Sequence, residues 1–173
     1  LHKEYRRQRQ MCIRDSPYMD EIYSRGFMTD LSKVRRNETS QLVYHKTLNY
    51  GDCILEKRAA AAAGINEKIF INTKGQISEG TVCNVFFVRK NMIYTPQLSC
   101  GLLPGILREY IMERFQVTET IIYPDELMYY EECFVTNSLM GVMPVRQLGN
   151  ICFPHRAKAD EVREVYEKEK MSL

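Results

Sequence analysis

Residues 42–48 read Leu-Val-Tyr-His-Lys-Thr-Leu, an alternation that predicts an extended strand. Leu42, Tyr44 and Leu48 then share one face, with Lys46 in the middle of it. Residues 53–63 are good helix formers ending in an alanine run, with Gly64 as the C-terminal stop. Asn49 or Asp52 is a candidate N-cap for that helix. Residues 67–73 alternate as a strand, 74–76 turn, and 77–89 form a long run that is apolar on both parities. Such a run fits a strand buried on both faces. After Asn91 comes a short strand at 92–94, then a Gly/Pro loop at 100–105 that opens a helix over 106–115. The remainder predicts a strand at 118–123, a short helix capped by Asp125, a strand at 132–136, a turn at 137–141, a strand at 142–148 and an amphipathic helix at 155–171. Residues 17–23 look like the end of a strand entering a connector, and 35–40 form a polar loop. The pattern predicts an α+β fold: a mixed, largely antiparallel sheet with three or four flanking helices.

Residues 1–16, with Arg-Arg-Gln-Arg-Gln and little periodicity, read as an irregular or non-native start and carry no functional argument. The 173 residues otherwise suffice for one good-sized domain with its own core. A net charge of +2 implies no pull toward nucleic acid or a membrane surface. No apolar run approaches the length of a membrane span. The six cysteines form no C-x-x-C pair and have no histidine at zinc-ligand spacing, so the simplest expectation is reduced thiols in a cytoplasmic protein without a metal site.

Four places could carry chemistry. Lys46 on an apolar face would be desolvated, which favours the neutral amine, a nucleophile toward aldehydes. It could equally snorkel to solvent. Glu79, at the mouth of a strand whose continuation is apolar, needs a partner. That partner is either a structural arginine or the protonated ring nitrogen of a cofactor. The stretch Gly101-Leu102-Leu103-Pro104-Gly105-Ile106-Leu107-Arg108 is a loop running into a helix start, where free backbone N–H groups can bind an anion such as phosphate or simply be capped. Thr136-Asn137-Ser138 can donate to a phosphate or make an ordinary turn. His2, His45 and His155 are too dispersed for a metal site or a catalytic triad.

These pieces occur in an order that resembles the class IV (fold-type IV) pyridoxal-phosphate enzymes. That family comprises branched-chain and D-amino acid aminotransferases and aminodeoxychorismate lyase. The matching text is His45-Lys46-Thr47-Leu48-Asn49, then Ser78-Glu79-Gly80-Thr81-Val82-Cys83-Asn84-Val85-Phe86, then Gly101 to Arg108, then Phe134-Val135-Thr136-Asn137-Ser138-Leu139-Met140-Gly141-Val142-Met143-Pro144-Val145. The resemblance covers about residues 17–148. It implies pyridoxal 5'-phosphate as cofactor, with Lys46 as catalytic residue holding its aldehyde as a Schiff base and shuttling protons. It implies Glu79 on the pyridine nitrogen, the backbone N–H groups of Ile106 and Leu107 on the phosphate, and Asn137 and Ser138 completing the phosphate cup. Asn84 would support strand geometry rather than touch substrate. Residues 41–173 would be the cofactor-binding large domain of the fold. Residues 17–40 would be a remnant of the family's small N-terminal domain and its connector.

Within the family, Lys-Thr-Leu-Asn and Thr-Asn-Ser-Leu-Met-x-x-Met-Pro-Val look most like aminodeoxychorismate lyase. That enzyme releases pyruvate from 4-amino-4-deoxychorismate to leave 4-aminobenzoate, a folate precursor. An aminotransferase of the same fold and a non-catalytic truncated domain are the alternatives. The family supplies a phosphate-binding arginine from the small domain, and Arg35 and Arg36 lie too late in the chain to match it. A small-molecule substrate and a homodimer are what the resemblance implies for partners.

Overall fold

The structure is a computed structural model that describes Tyr18 and residues 20–171; residues 1–16, read above as an irregular start, lie outside the described residues. Helix α1 (Asp20–Arg25) leads into strand β1 (Phe27–Arg36). A 3-10 turn (Gln41–Tyr44) precedes α2 (Gly51–Ala62). Then come β2 (Glu67–Asn72), β3 (Ile77–Gly80), β4 (Asn84–Arg89), β5 (Met92–Pro96), α3 (Ile106–Arg114) and β6 (Val117–Thr120). A 3-10 segment (Pro124–Tyr129), β7 (Glu132–Asn137), β8 (Gly141–Leu148), β9 (Ile151–Cys152) and α4 (Ala157–Met171) complete the described chain.

The strands form one mixed sheet in the order β3-β2-β1-β8-β7-β4-β5-β6, with β9 beside β8. β1 runs parallel to both β2 and β8, and β5 parallel to β6; the other pairs are antiparallel. The two ends of this path meet, because the Ile77 N–H donates to the Ile122 carbonyl at 2.8 Å. The sheet therefore curls toward a barrel, and its inner side is filled by Phe27, Ile69, Ile71, Ile77, Val85, Phe87, Val135 and Met143. On the outer side Phe86, Val88, Phe134 and Val142 pack against Leu107 and Ile111 of α3 and Ala159 and Val162 of α4. The α+β fold and the run of apolar residues on both parities of β4 have one cause: alternate residues serve two different cores. Phe86 and Phe134 are directly opposed and stacked, with centroids 4.9 Å apart.

Five expectations are corrected. Within the stretch 17–23, read above as a strand end, the described residues from Asp20 on are helical, with two acidic residues in the first turn. Residues 27–36, where no element was expected, form β1 near the middle of the sheet. Its alternation is weak because polar Thr29 and Ser32 are buried: the Thr29 hydroxyl donates to the Gln147 carbonyl at 2.9 Å, and that of Ser32 to the Val34 carbonyl at 3.1 Å. Residues 42–48 are not a strand. Ser40 caps a 3-10 turn by accepting from the Leu42 N–H, and the Tyr44 hydroxyl donates to the Glu38 carbonyl at 2.7 Å, so the alternation has no sheet to read against. The run 77–89 is two strands, because Thr81 is clamped by the buried Glu67 carboxylate and the Gly80 N–H closes on the Cys83 carbonyl at 2.7 Å. Helix α2 also begins earlier than expected, with Tyr50 rather than Asn49 or Asp52 at its N-cap and no side-chain cap.

Candidate functional site

Glu79 is the penultimate residue of the short strand β3, and its side chain is buried. Burial raises the cost of its charge, and its carboxyl is pushed up to about 7 despite the opposing pull of Arg36. Arg36, at the end of β1, reaches over the Phe70 ring of β2 and forms an ion pair with Glu79 Oε1. Arg36 Nη1 also donates to Cys53 Sγ at 3.4 Å. Of the two partners foreseen for Glu79, the structure supplies the arginine. Glu79 Oε2 accepts from the backbone N–H of Leu103 at 3.1 Å, which ties the strand mouth to the Gly/Pro loop.

That loop is anchored at several points. The Ser78 hydroxyl donates to the Gly101 carbonyl at 2.9 Å. Gly101 has φ +86°, and a Cβ there would lie 2.9 Å from Cα of Glu38, so only glycine fits. Asn84 Nδ2 donates to the Leu103 carbonyl at 2.9 Å. Helix α3 then starts at Ile106 behind Gly105, an N-cap with no side-chain hydrogen bond. Its first-turn N–H groups, those of Ile106 and Leu107 included, are open to an acceptor from outside the helix. The helix is pinned to the sheet by buried Arg108, which donates to the Pro96 carbonyl at 3.1 Å and pairs with Glu119.

Asn137 ends β7, the neighbour of β4, and Ser138 follows it. Asn137 Nδ2 donates to the Val82 carbonyl at 3.0 Å, and its Oδ1 accepts from the N–H groups of Leu139 and Met140 at 3.0 and 2.8 Å. This is an Asx turn lying against the β3–β4 connection. Ser138 is exposed at the turn. The structure thus gathers Glu79, Leu103, the α3 start and Asn137-Ser138 around the β3–β4 connection.

Lys46 is the departure. It lies after the 3-10 turn, exposed, in a segment without regular structure, and not on an inward strand face. The desolvation argument for its amine therefore has no support in this geometry.

Sequence reasoning missed Arg36 as the partner of Glu79, and it missed the brace behind it. Glu67 on β2 is buried and accepts from the Thr81 N–H at 3.2 Å, the Thr81 hydroxyl, the Lys68 N–H at 2.9 Å and Lys57 Nζ at 2.8 Å. A carboxylate opening a strand whose centre, Ile69-Phe70-Ile71, is apolar was the available signal. Among the described residues no His/Cys/Asp/Glu cluster suits a metal ion, and no helix is long and apolar enough to cross a membrane.

The donor set suits a flat cationic ring bearing a phosphate: a buried carboxylate at one end and, joined to it through Leu103, an uncapped helix start at the other. Comparison with known proteins agrees. The profile of the class IV aminotransferase family matches residues 6–148, and the chain belongs to that family. The family is pyridoxal-phosphate-dependent. A probable branched-chain-amino-acid aminotransferase of Thermotoga maritima is 36% identical over 134 residues, which are 74% of this chain and 48% of that protein. A probable branched-chain-amino-acid aminotransferase of Rickettsia conorii is 27% identical over 169 residues, 91% of this chain and 58% of that protein. Among solved structures, a candidate 4-amino-4-deoxychorismate lyase of Legionella pneumophila superposes with a TM-score of 0.79 at 27% identity, covering 83% of this chain and 56% of that one. The Thermobaculum terrenum branched-chain aminotransferase in its PLP form superposes with a TM-score of 0.79 at 25% identity, over 85% of this chain and 52% of that one. The chain thus spans about half the length of the relatives it matches.

Proposed function

We propose that this chain carries the pyridoxal-phosphate site of a class IV lyase that releases pyruvate from 4-amino-4-deoxychorismate and leaves 4-aminobenzoate. The observation that carries the cofactor half of this reading is the Leu103 link between the Glu79 carboxylate and the start of α3. The cofactor supplies an electron sink for the bond broken beside the substrate's amino-bearing carbon. Glu79 would hold the proton on the ring nitrogen, and ionisation of a carboxyl that titrates near 7 would be favoured by that cation. The N–H groups of Ile106 and Leu107 would bind the phosphate, with Asn137 and Ser138 at its far side. Lys46 Nζ would attach the aldehyde and move the proton at the substrate carbon. Glu79 would exchange its Arg36 contact for a shared one, since a carboxylate has lone pairs for both.

The lyase assignment rests on Lys46-Thr47-Leu48-Asn49 and on Thr136 to Val145. Branched-chain aminotransferase is the second reading, favoured by the names of the curated relatives. The test uses the longest natural form of the protein, loaded with cofactor. Pyruvate release from aminodeoxychorismate with no need for a 2-oxo acid supports the lyase. Amino transfer from a branched-chain amino acid to 2-oxoglutarate, without pyruvate release, replaces it with the second reading. A homodimer remains part of the proposal, since exposed Val82, Ile106 and Leu139 near the site are apolar surface that a second polypeptide would cover.

A further inference from the structure

We infer that Asn84 is a positioning residue that fixes the phosphate-binding start of α3 relative to Glu79, an inference that rests on the cofactor reading above. Both backbone polar groups of Leu103 are held by side chains from two strands that are consecutive in the chain, on either side of the β3–β4 connection. Glu79, next to the end of β3, accepts from the Leu103 N–H at 3.1 Å, and Asn84, opening β4, donates to the Leu103 carbonyl at 2.9 Å. The spacing between these two side chains is set by the β3–β4 turn, since buried Glu67 grips Thr81 and the Gly80 N–H closes on the Cys83 carbonyl. Leu103 precedes Pro104, which has no N–H, so the loop makes few other backbone bonds before the helix begins.

Asn84 also touches the helix cap itself. A Cβ built on Gly105 would collide with Asn84 Oδ1, although φ −79° and ψ 141° at Gly105 suit any residue. Glycine is therefore required at the N-cap by the position of Asn84, not by backbone strain. Asn84 is buried and directly opposes Thr136 of β7, whose buried hydroxyl has no hydrogen-bond partner. Cross-strand neighbours share a face. Asn84 and Thr136 thus lie on the side of the sheet that carries α3, beneath the proposed phosphate site. The distance from the ring-nitrogen end to the phosphate end is in this way set by the β3–β4 connection and one residue of the loop.

The test compares pyridoxal phosphate with pyridoxal, which keeps the ring and lacks the phosphate. Equilibrium affinity for each is read by absorbance on the full chain, for wild type, Asn84→Ala, Gly105→Ala and the double variant. Losing a buried hydrogen bond should weaken pyridoxal phosphate roughly tenfold in Asn84→Ala, with pyridoxal little changed. Gly105→Ala should be similarly weak alone, and adding it to Asn84→Ala should cost nothing further, because the collision is gone. Equal weakening of both ligands, or additive effects of the two substitutions, overturns the inference. Amide exchange of residues 101–107 supplies a readout free of cofactor: Asn84→Ala should speed it while β7 stays protected. Unchanged exchange there also overturns the inference. Wild-type protein that binds neither ligand overturns the cofactor reading instead, and the exchange result still decides whether Asn84 holds the loop.

Discussion

The guanidinium of Arg36 and the carboxylate of Glu79 form an ion pair across strand β2, over the face of Phe70. Arg36 ends β1 and Glu79 lies next to the end of β3, so the pair links the two strands flanking β2. Burial dominates the balance and pushes the Glu79 carboxyl up to about 7, from an ordinary 4.5. The folded state therefore binds a proton more tightly than the unfolded chain. Stability from this group is fully present below about pH 4.5 and is lost as pH rises toward 7, by roughly 3 kcal/mol. Glu79→Gln should flatten urea-unfolding stability over that window. Arg36→Met removes the charge that opposes the rise, so the falling limb should extend above pH 7. A wild-type stability that climbs between pH 4.5 and 7 and is unaffected by Glu79→Gln would contradict this assignment.

Glu67 organises the break between β3 and β4. Its carboxylate serves Lys57, Thr81 and the Lys68 N–H at once. Glu67→Ala leaves these donors unpaired in a buried place and should destabilise by about 3–5 kcal/mol, as when one member of a buried pair is removed. Thr81→Val, which keeps the shape and the backbone N–H, should cost about 1–3 kcal/mol. Chemical denaturation measures both. A loss under about 0.5 kcal/mol for Glu67→Ala, the size expected of ordinary surface positions, would mean the brace does not hold the turn.

Thiol reactivity follows burial. Burial pushes the Cys83 and Cys133 thiols well above their ordinary range, and Cys53 and Cys100 are raised as well. Cys152 is exposed. Among the described cysteines, Cys152 should react first with a thiol reagent in native protein, and the other four should wait for unfolding. Mapping the modified peptides checks this; early labelling of Cys83 or Cys133 would contradict the buried placement.

The sheet residues were legible where alternation or a two-faced apolar run recorded a core, as at Val85 to Val88 and Phe134 to Val135. Glu79 and the α3 start were legible because a carboxylate at an apolar strand mouth and a glycine-flanked helix start each pose a local question. Their partners were not legible. Arg36 reaches Glu79 across another strand, and Leu103 joins it through a backbone N–H that no side chain signals. The segment around Lys46 misled for a different reason: its strand-like alternation has no neighbouring strand, and capping by Ser40 with the Tyr44–Glu38 bond turns it another way. β1 was hidden because its buried polar residues are satisfied by hydrogen bonds rather than marked by apolar periodicity.

The proposed role of Lys46 as the attachment point for pyridoxal phosphate has a direct test. The direct measurement adds pyridoxal phosphate to the protein, fixes any Schiff base with borohydride and maps the labelled lysine by peptide mass. The account predicts one equivalent of label on Lys46, lost in Lys46→Ala with folding stability changed by no more than about 0.5 kcal/mol, since Lys46 is exposed. Label spread over surface lysines such as Lys74 and Lys90, or unchanged in Lys46→Ala, would contradict it.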